Sequence, residues 1–441
     1  MMRFGPAAGA LVLSLVGHMS LARWAEDHSE RLRKNRKKAR SIALFVACLG
    51  PLVRAVSIYT GHGQGLSPYA LIEVTLVAFA GSTVGIMKTL FWLYGRASYV
   101  VRRRLSERAA EAPTEPSPPT TASREPTLGS MTEPTEPVTR AGEALANGGD
   151  PRAVSAFERA EEERVSRRLV LERAVGLSLV AGSTGAIGWG IVRGRHDFRI
   201  EEVVVKIPGL SPKLDGYTIA QISDIHTGTF VTERELAEGF AKVREIRPDL
   251  VVATGDLVDH DAAYCALLAR ELAKLPSRDG LFAIYGNHDY TTGHAAVAES
   301  LTRAGVRLLV NEGLAIRPGE GGFSLLGLDE IWGRYWGRPG PDLARAAASV
   351  RETDLPRIVL SHQPKTFRDM AGKCALQLSG HTHGGQINPG FRPANLVFEF
   401  VAGRYERAGS TLWVNRGFGT AGPPSRVGAP PEVTKVVLVA G

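Results

Sequence analysis

The sequence predicts an α/β domain built as a two-sheet β-sandwich flanked by helices and preceded by a transmembrane helical region. Three observations lead there. From about residue 200 onward, short apolar runs end abruptly in polar clusters, and helix-like stretches separate the first of them. Ahead of that point stand several long runs without formal charge, flanked by arginine and lysine. Between the two textures lies a segment rich in Pro, Thr and Glu.

In chain order, residues 1–104 read as a membrane region of about three helices. Phe4 to Ala22 holds 19 uncharged residues, close to the ~20 that span a bilayer. Eight basic residues follow between Arg23 and Arg40, and such clusters stay cytoplasmic. Ser41 to about Tyr59 and Pro68 to about Tyr94 are the second and third candidates, joined by a loop without Lys or Arg. Arg102 to Arg104 close the third on the cytoplasmic side.

The net charge of +8 follows this division. Residues 1–104 carry 15 Lys and Arg against 4 Asp and Glu, which leaves 38 basic and 41 acidic residues for the remainder. The basic excess therefore flanks membrane runs instead of lining a nucleic-acid groove, and no nucleic-acid partner is expected. Cys48, Cys265 and Cys374 have no pairing or ligand spacing, which excludes a disulfide framework and a cysteine zinc cluster.

Residues 105–168 form a linker. Glu111 to Arg140 contains seven Pro, seven Thr and five Glu and no aromatic residue, too little apolar surface to offset chain entropy, so a disordered tether is expected. Residues 169–195 read as a fourth transmembrane segment or a twin-arginine-like anchor: Arg167 and Arg168 precede Ala174 to Val192, which is uncharged but rich in glycine. Either reading carries the following domain outside the cytoplasmic membrane.

Residues 200–441 carry the chemistry. Tyr217 to Ser223, Leu250 to Thr254, Leu281 to Tyr285, Ile358 to Ser361 and Ala375 to Ser379 read as buried strands. Each ends on polar residues: Asp224 and His226, Asp256 and Asp259, Asn287 to Asp289, His362, then His381 and His383. Thr232 to Ile246, Asp261 to Lys274 and His294 to Ala304 read as the helices between them, and the C-terminal strand ends of layered α/β folds are where sites assemble. Imidazoles, carboxylates and one amide, without sulfur and without a G-x-S-x-G nucleophile, suit divalent Mn, Fe or Zn. Two ions sharing a carboxylate need about seven ligands, and Asp224, His226, Asp256, Asn287, His362, His381 and His383 supply them.

These five ordered blocks, Asp224-Ile-His226, Gly255-Asp256-Leu-Val-Asp259, Gly286-Asn287-His288-Asp289, His362 and Gly380-His381-Thr-His383, resemble the calcineurin-like metallophosphoesterase superfamily. Gly384-Gly385-Gln386 and Asn415-Arg416-Gly417 resemble its bacterial membrane-anchored branch. The resemblance implies that Asp224, His226 and His383 bind one divalent ion, that Asn287, His362 and His381 bind a second, and that Asp256 bridges them. It implies a phosphoester hydrolase using metal-activated hydroxide, with His288 assisting charge or the leaving oxygen and Asp289 orienting its ring. Phosphodiesters or pyrophosphates, lipid-linked or nucleotide-linked ones included, are the expected substrates. The alternative is a non-catalytic membrane sensor or scaffold on the same fold, whose mark would be lost ligands; none is lost here. Trp332, Tyr335 and Trp336, interleaved with Arg334 and Arg338, read as a substrate lid, a lipid-facing surface or a packed loop. Arg416 reads as a phosphate contact or a structural cation, and Asp259 and His260 as supporting residues or a helix cap.

Overall fold

The computed structural model describes residues 181–388 and 390–441, together with Ala174 and Ser178. The three candidate spans within residues 1–104 and the linker 105–168 lie outside the described residues. Of the fourth candidate span, residues 181–192 are helical. Among the described residues, no helix is long and apolar enough to cross a membrane.

Twelve strands and six α-helices follow. They are β1 (Arg199–Ile207), β2 (Tyr217–Ile222), α1 (Glu233–Ile246), β3 (Leu250–Thr254), α2 (Cys265–Leu272), β4 (Leu281–Ile284), α3 (Asn287–Thr292), α4 (His294–Arg303), β5 (Arg307–Leu308), β6 (Glu312–Ile316), β7 (Phe323–Gly327), α5 (Leu343–Ala348), β8 (Arg357–Leu360), α6 (Phe367–Met370), β9 (Leu376–Ser379), β10 (Gly403–Arg407), β11 (Ser410–Val414) and β12 (Glu432–Ala440). Two six-stranded sheets result, ordered β1-β12-β2-β3-β4-β5 and β10-β11-β9-β8-β7-β6. In the first sheet β2 to β5 run parallel, β12 pairs antiparallel with β2, and β1 lies parallel to β12. In the second, β7, β8, β9 and β11 are parallel, with antiparallel β6 and β10 at the edges. The five strands read from sequence agree with β2, β3, β4, β8 and β9 to within a residue at either end, and the three helices with α1, α2 and α4 apart from their ends.

The strands read as continuous apolar runs because both of their faces are covered. Along β2, Tyr217 and Ile219 enter the layer between the sheets, where Phe323, Leu325, Leu360 and Leu378 meet them. Ala220 and Ile222 point the other way and pack with Leu236 and Phe240 of α1. β3 alternates likewise, with Leu250 and Val252 inward and Val251 and Ala253 toward the helices. A third cluster, with Leu326, Val359, Ala346 and Phe367, covers the outer face of the second sheet with α5 and α6. Each fully buried aliphatic side chain in these layers stabilises by ~1.5–3 kcal/mol, so the strand ends that bear the polar clusters are held by packing on two sides. At the start of α1, the Thr232 N–H donates to Glu235 Oε2 at 3.0 Å, one half of a capping box that fixes where the helix begins.

Candidate metal centre

The parallel strands of both sheets deliver their C-terminal ends to one edge of the sandwich. Asp224 and His226 follow β2, Asp256 follows β3, Asn287 opens α3 after β4, His362 follows β8, and His381 and His383 follow β9. The chain turns sharply there: Asp224, His226, Asp256, His381 and His383 all have positive φ, between 50° and 72°. Non-glycine residues pay a steric penalty in this region and persist in it only where the surroundings dictate it, most often at functional sites. Two glycines make the crowding possible. A Cβ on Gly286 would lie 2.2 Å from Asp256 Oδ1, and one on Gly380 2.2 Å from Asp224 Oδ2.

Six of the seven candidate ligands, Asp224, His226, His383, Asp256, His362 and His381, meet in one cluster, and Asn287 opens α3 beside it. His226 Nε2 lies 3.1 Å from His383 Nε2, and His383 Nε2 lies 3.4 Å from Asp224 Oδ1. His362 Nε2 lies 3.2 Å from His381 Nδ1. Asp256 stands between the groups: its Oδ2 is 3.2 Å from His362 Nε2 and 3.7 Å from His226 Nε2, while its Oδ1 accepts the His288 N–H at 2.7 Å. Asp224 accepts the His381 N–H on both oxygens at 2.9 Å. His362 Nδ1 lies 2.8 Å from the Thr254 carbonyl, so Nδ1 carries a proton and Nε2 is the nitrogen turned toward Asp256 and His381.

The donor set fits divalent cations. Facing imidazole nitrogens repel unless a proton or a cation lies between them, and two such pairs occur here. Asn287 Oδ1 is buried without a hydrogen-bond partner, a costly state that a cation relieves. Oxygen and nitrogen donors without sulfur match Mn, Fe or Zn. A third trio, His226, Asp259 and His288, also converges closely enough to hold an ion.

Electrostatics divide the cluster. Burial opposes charge on Asp256, yet His362 and His288 outweigh it and hold the carboxyl well below the usual range. Burial likewise opposes a charged His362, but Asp256 lifts it well above the ordinary imidazole value. His381 is pushed down to about 3 by burial and His362, and His383 falls well below its usual value through burial and His226. Both are neutral near pH 7, with lone pairs to give.

His288 differs. Burial lowers its pKa, but the Asp256 and Asp259 carboxylates raise it to about 9. Its Nδ1 pairs with Asp259 Oδ1 at 2.8 Å. This corrects the expectation for Asp289, whose Oδ1 accepts the Leu257 and Val258 amides at 2.9 and 3.2 Å and whose Oδ2 accepts the Gly286 amide at 2.8 Å. Asp289 therefore ties the β3 and β4 turns together and does not orient His288. Burial and Asp256 push its carboxyl up to about 7, against three backbone donors that favour the anion.

Two arginines also sort themselves. Arg416 pairs with Glu201 and, at 3.0 Å, with Glu432, so it is a structural cation. Arg426, missed by the sequence reading, is 1% exposed. Its guanidinium donates to the carbonyls of Gly417, Gly419 and Ala429 and lies 3.2 Å from His383 Nδ1. Nothing in the loop sequence around it signals this role. The aromatic insertion forms the 3-10 turn Ile331–Trp336 at the rim; the Trp336 ring stacks 5.6 Å from Tyr290 in α3, while Tyr335 remains largely exposed.

Residues 217–385 match the family model described as calcineurin-like phosphoesterase. An uncharacterized metallophosphoesterase of Campylobacter jejuni is 35% identical over 269 residues, covering 60% of this chain and 70% of that protein. The Bacillus subtilis metallophosphoesterase YkuE is 32% identical over 290 residues, covering 63% of this chain and 98% of its own. A Danio rerio protein named as a transmembrane protein with metallophosphoesterase domain is 31% identical over 275 residues, covering 60% and 63%. The chain belongs to the calcineurin-like metallophosphoesterase family. It is a metal-dependent phosphoesterase that uses divalent ions of the kind its clustered His and Asp residues can hold.

Proposed function

We propose that this chain is a membrane-anchored, two-cation hydrolase of phosphodiester or pyrophosphate bonds, lipid-linked or nucleotide-linked substrates included. In this reading Asp224, His226 and His383 hold one cation and Asn287, His362 and His381 the other. The observation that carries it is the position of Asp256, whose Oδ2 faces His226 Nε2 at 3.7 Å and His362 Nε2 at 3.2 Å. One carboxylate oxygen directed at both nitrogen sets is what a shared ligand requires. When bound, such a pair of ions polarises phosphoryl oxygens and acidifies water for in-line attack. The chain's own contribution is to hold the ligands rigidly and to present the protonated His288 ring to the leaving oxygen.

The anchoring rests on the uncharged runs Phe4 to Ala22 and Ala174 to Val192, on the largely apolar runs Ser41 to Tyr59 and Pro68 to Tyr94, which Arg54, Glu73 and Lys88 interrupt, and on the basic loop Arg23 to Arg40. Charge bias of that kind places the catalytic domain outside the cytoplasmic membrane. The purified full chain, stripped with chelator and reloaded separately with Mn, Fe or Zn, is to be assayed on chromogenic mono- and diesters. Restored diester hydrolysis with about two ions bound per chain supports the reading. Full turnover with the chelator still present, or with one ion per chain, overturns it.

A further inference from the structure

Beyond the metal centre, and apart from the aromatic turn Ile331–Trp336, the loop of residues 391–398 is crowded with exposed apolar side chains. Phe391 is 64% exposed, Leu396 86%, Val397 78% and Phe398 44%. The single formal charge between Gly390 and Phe398 is Arg392. The next carboxylate, Glu399, is already paired with Arg368 and Arg407. Apolar side chains scattered singly on a surface are ordinary, but a contiguous set of this kind marks an interaction site.

The loop is built onto the metal centre. A Cβ on Gly385, two residues past His383, would lie 3.1 Å from Ala394 Cβ and 3.3 Å from Arg392 Cγ. The Phe398 ring lies 6.5 Å from that of His381. At its root, the Asn388 N–H donates to the Val427 carbonyl at 2.7 Å, and the Val427 N–H donates to the Gln386 carbonyl at 2.9 Å.

The same 425–428 segment receives the helix of residues 181–192. Ser425 Oγ donates to the Ile187 carbonyl at 3.0 Å, and the Arg426 N–H donates to the Gly190 carbonyl at 3.2 Å. That helix exposes Trp189 and Val192, at 52% and 69%. The helix of residues 181–192 therefore meets the same 425–428 segment that pairs with Gln386 and Asn388, at the root of the apolar loop.

We infer that the 391–398 loop docks on a phospholipid bilayer, with Phe391, Leu396, Val397 and Phe398 entering the boundary between headgroups and acyl chains. The inference rests on the membrane-anchored reading above, because the arriving chain is what brings this face to the lipid. Aromatic and aliphatic side chains beside an arginine, with no unpaired carboxylate in the loop, suit that boundary. Docked so, the loop holds His381, 6.5 Å from the Phe398 ring, close to the lipid surface. The substrate class it favours is a phosphoester whose alcohol portion stays in the bilayer.

The test uses the full chain in phosphatidylcholine and phosphatidylglycerol vesicles. An environment-sensitive fluorophore is placed by Leu396→Cys and, separately, by Phe391→Cys in a Cys48→Ser background; Cys265 and Cys374 are buried. A label at Glu320→Cys, in the turn between β6 and β7, serves as the aqueous reference. The expected result is blue-shifted emission at 391 and 396, with loss of intensity when spin-labelled lipid carries its label near the headgroup, and neither effect at 320. Emission and quenching at 391 and 396 equal to those at 320 overturn the proposal. A blue shift without lipid quenching overturns it too, since the loop is then covered by protein. Quenching is read without turnover, so an inactive preparation sinks the hydrolase reading and leaves this one standing, whereas alkaline extraction of the whole chain from the vesicles removes both the anchoring and the docking.

Discussion

Asp259 Oδ1 sits 2.8 Å from His288 Nδ1, and this pairing leaves Nε2 as the ring nitrogen available to a substrate. The same carboxylate oxygen lies 3.8 Å from His226 Nδ1 and 3.2 Å from His260 Nε2. Asp259 thus joins the proton-carrying ring to a ring of the metal cluster. Neighbouring imidazoles hold its own carboxyl far below the usual range in spite of burial, so it stays anionic throughout the working pH range and favours a protonated His288.

The ionisation of His288 gives a pH prediction. Its pKa is raised to about 9, so the acid form is present below that pH and is lost as pH rises through it. Asp259→Asn removes one raising charge and should move the basic limb of kcat/KM downward by about one to three units, with metal content retained. An unmoved limb detaches it from His288.

His288→Ala should lower kcat by a factor on the order of 10² to 10⁴, the usual range for proton-transfer assistance, while elemental analysis still finds the metal of the unaltered protein. The deficit should shrink for esters with acidic leaving groups, which need little protonation. Metal lost along with turnover would make His288 a ligand instead.

Asp256→Asn should abolish activity and reduce bound metal to one ion or none, because one oxygen of this carboxylate faces both nitrogen sets. Two ions at full occupancy with normal turnover would remove the bridging role.

Gly194→Ala tests how the leading helix is seated. A Cβ there would lie 2.0 Å from the Arg426 carbonyl oxygen, and such overpacking costs ~1–3 kcal/mol. Proteolysis near residues 181–198 should accelerate, with a lower Tm. An unchanged digestion pattern would show that the contact does not hold the helix.

Topology is open to reporter fusions. Alkaline phosphatase joined after Arg195 should be active and green fluorescent protein at the same point dark. The reverse pattern places the catalytic domain in the cytoplasm.

Much of the fold was legible because strands covered on both faces read as unbroken apolar runs: Leu250 to Thr254 of β3 agrees residue for residue. β1 was not read from the sequence, since only Glu202, Val204 and Lys206 alternate outward against Val203, Val205 and Ile207. Its pairing with β12, far along the chain, leaves no local mark at all. Six polar residues at the strand ends, Asp224, His226, Asp256, His362, His381 and His383, converge because parallel strands share one direction, which spacing conveys. The partner of His288 was misread because Asp289 stands next to it in sequence. On the first turn of α3 adjacent side chains diverge, and Asp289 turns back to the amides of β3 and β4. Arg426 was invisible because its partners are backbone carbonyls brought near by the loop around it, and carbonyls carry no sequence signature.

The strand order β1-β12-β2 has a consequence in time. Among the described residues β12 is the only neighbour of β1 in the sheet and separates it from β2, yet residues 432–440 are translated long after residue 207. At ~5–20 residues per second, the interval is roughly eleven to forty-five seconds. Throughout it β1 waits without a partner, and the first sheet ends at the bare edge of β2. The candidate metal ligands, the last of them His383, have all been translated before the sheet that supports them can close. Contacts of such long sequence separation also slow folding in free solution, and a chain cut before residue 432 loses β1 along with β12.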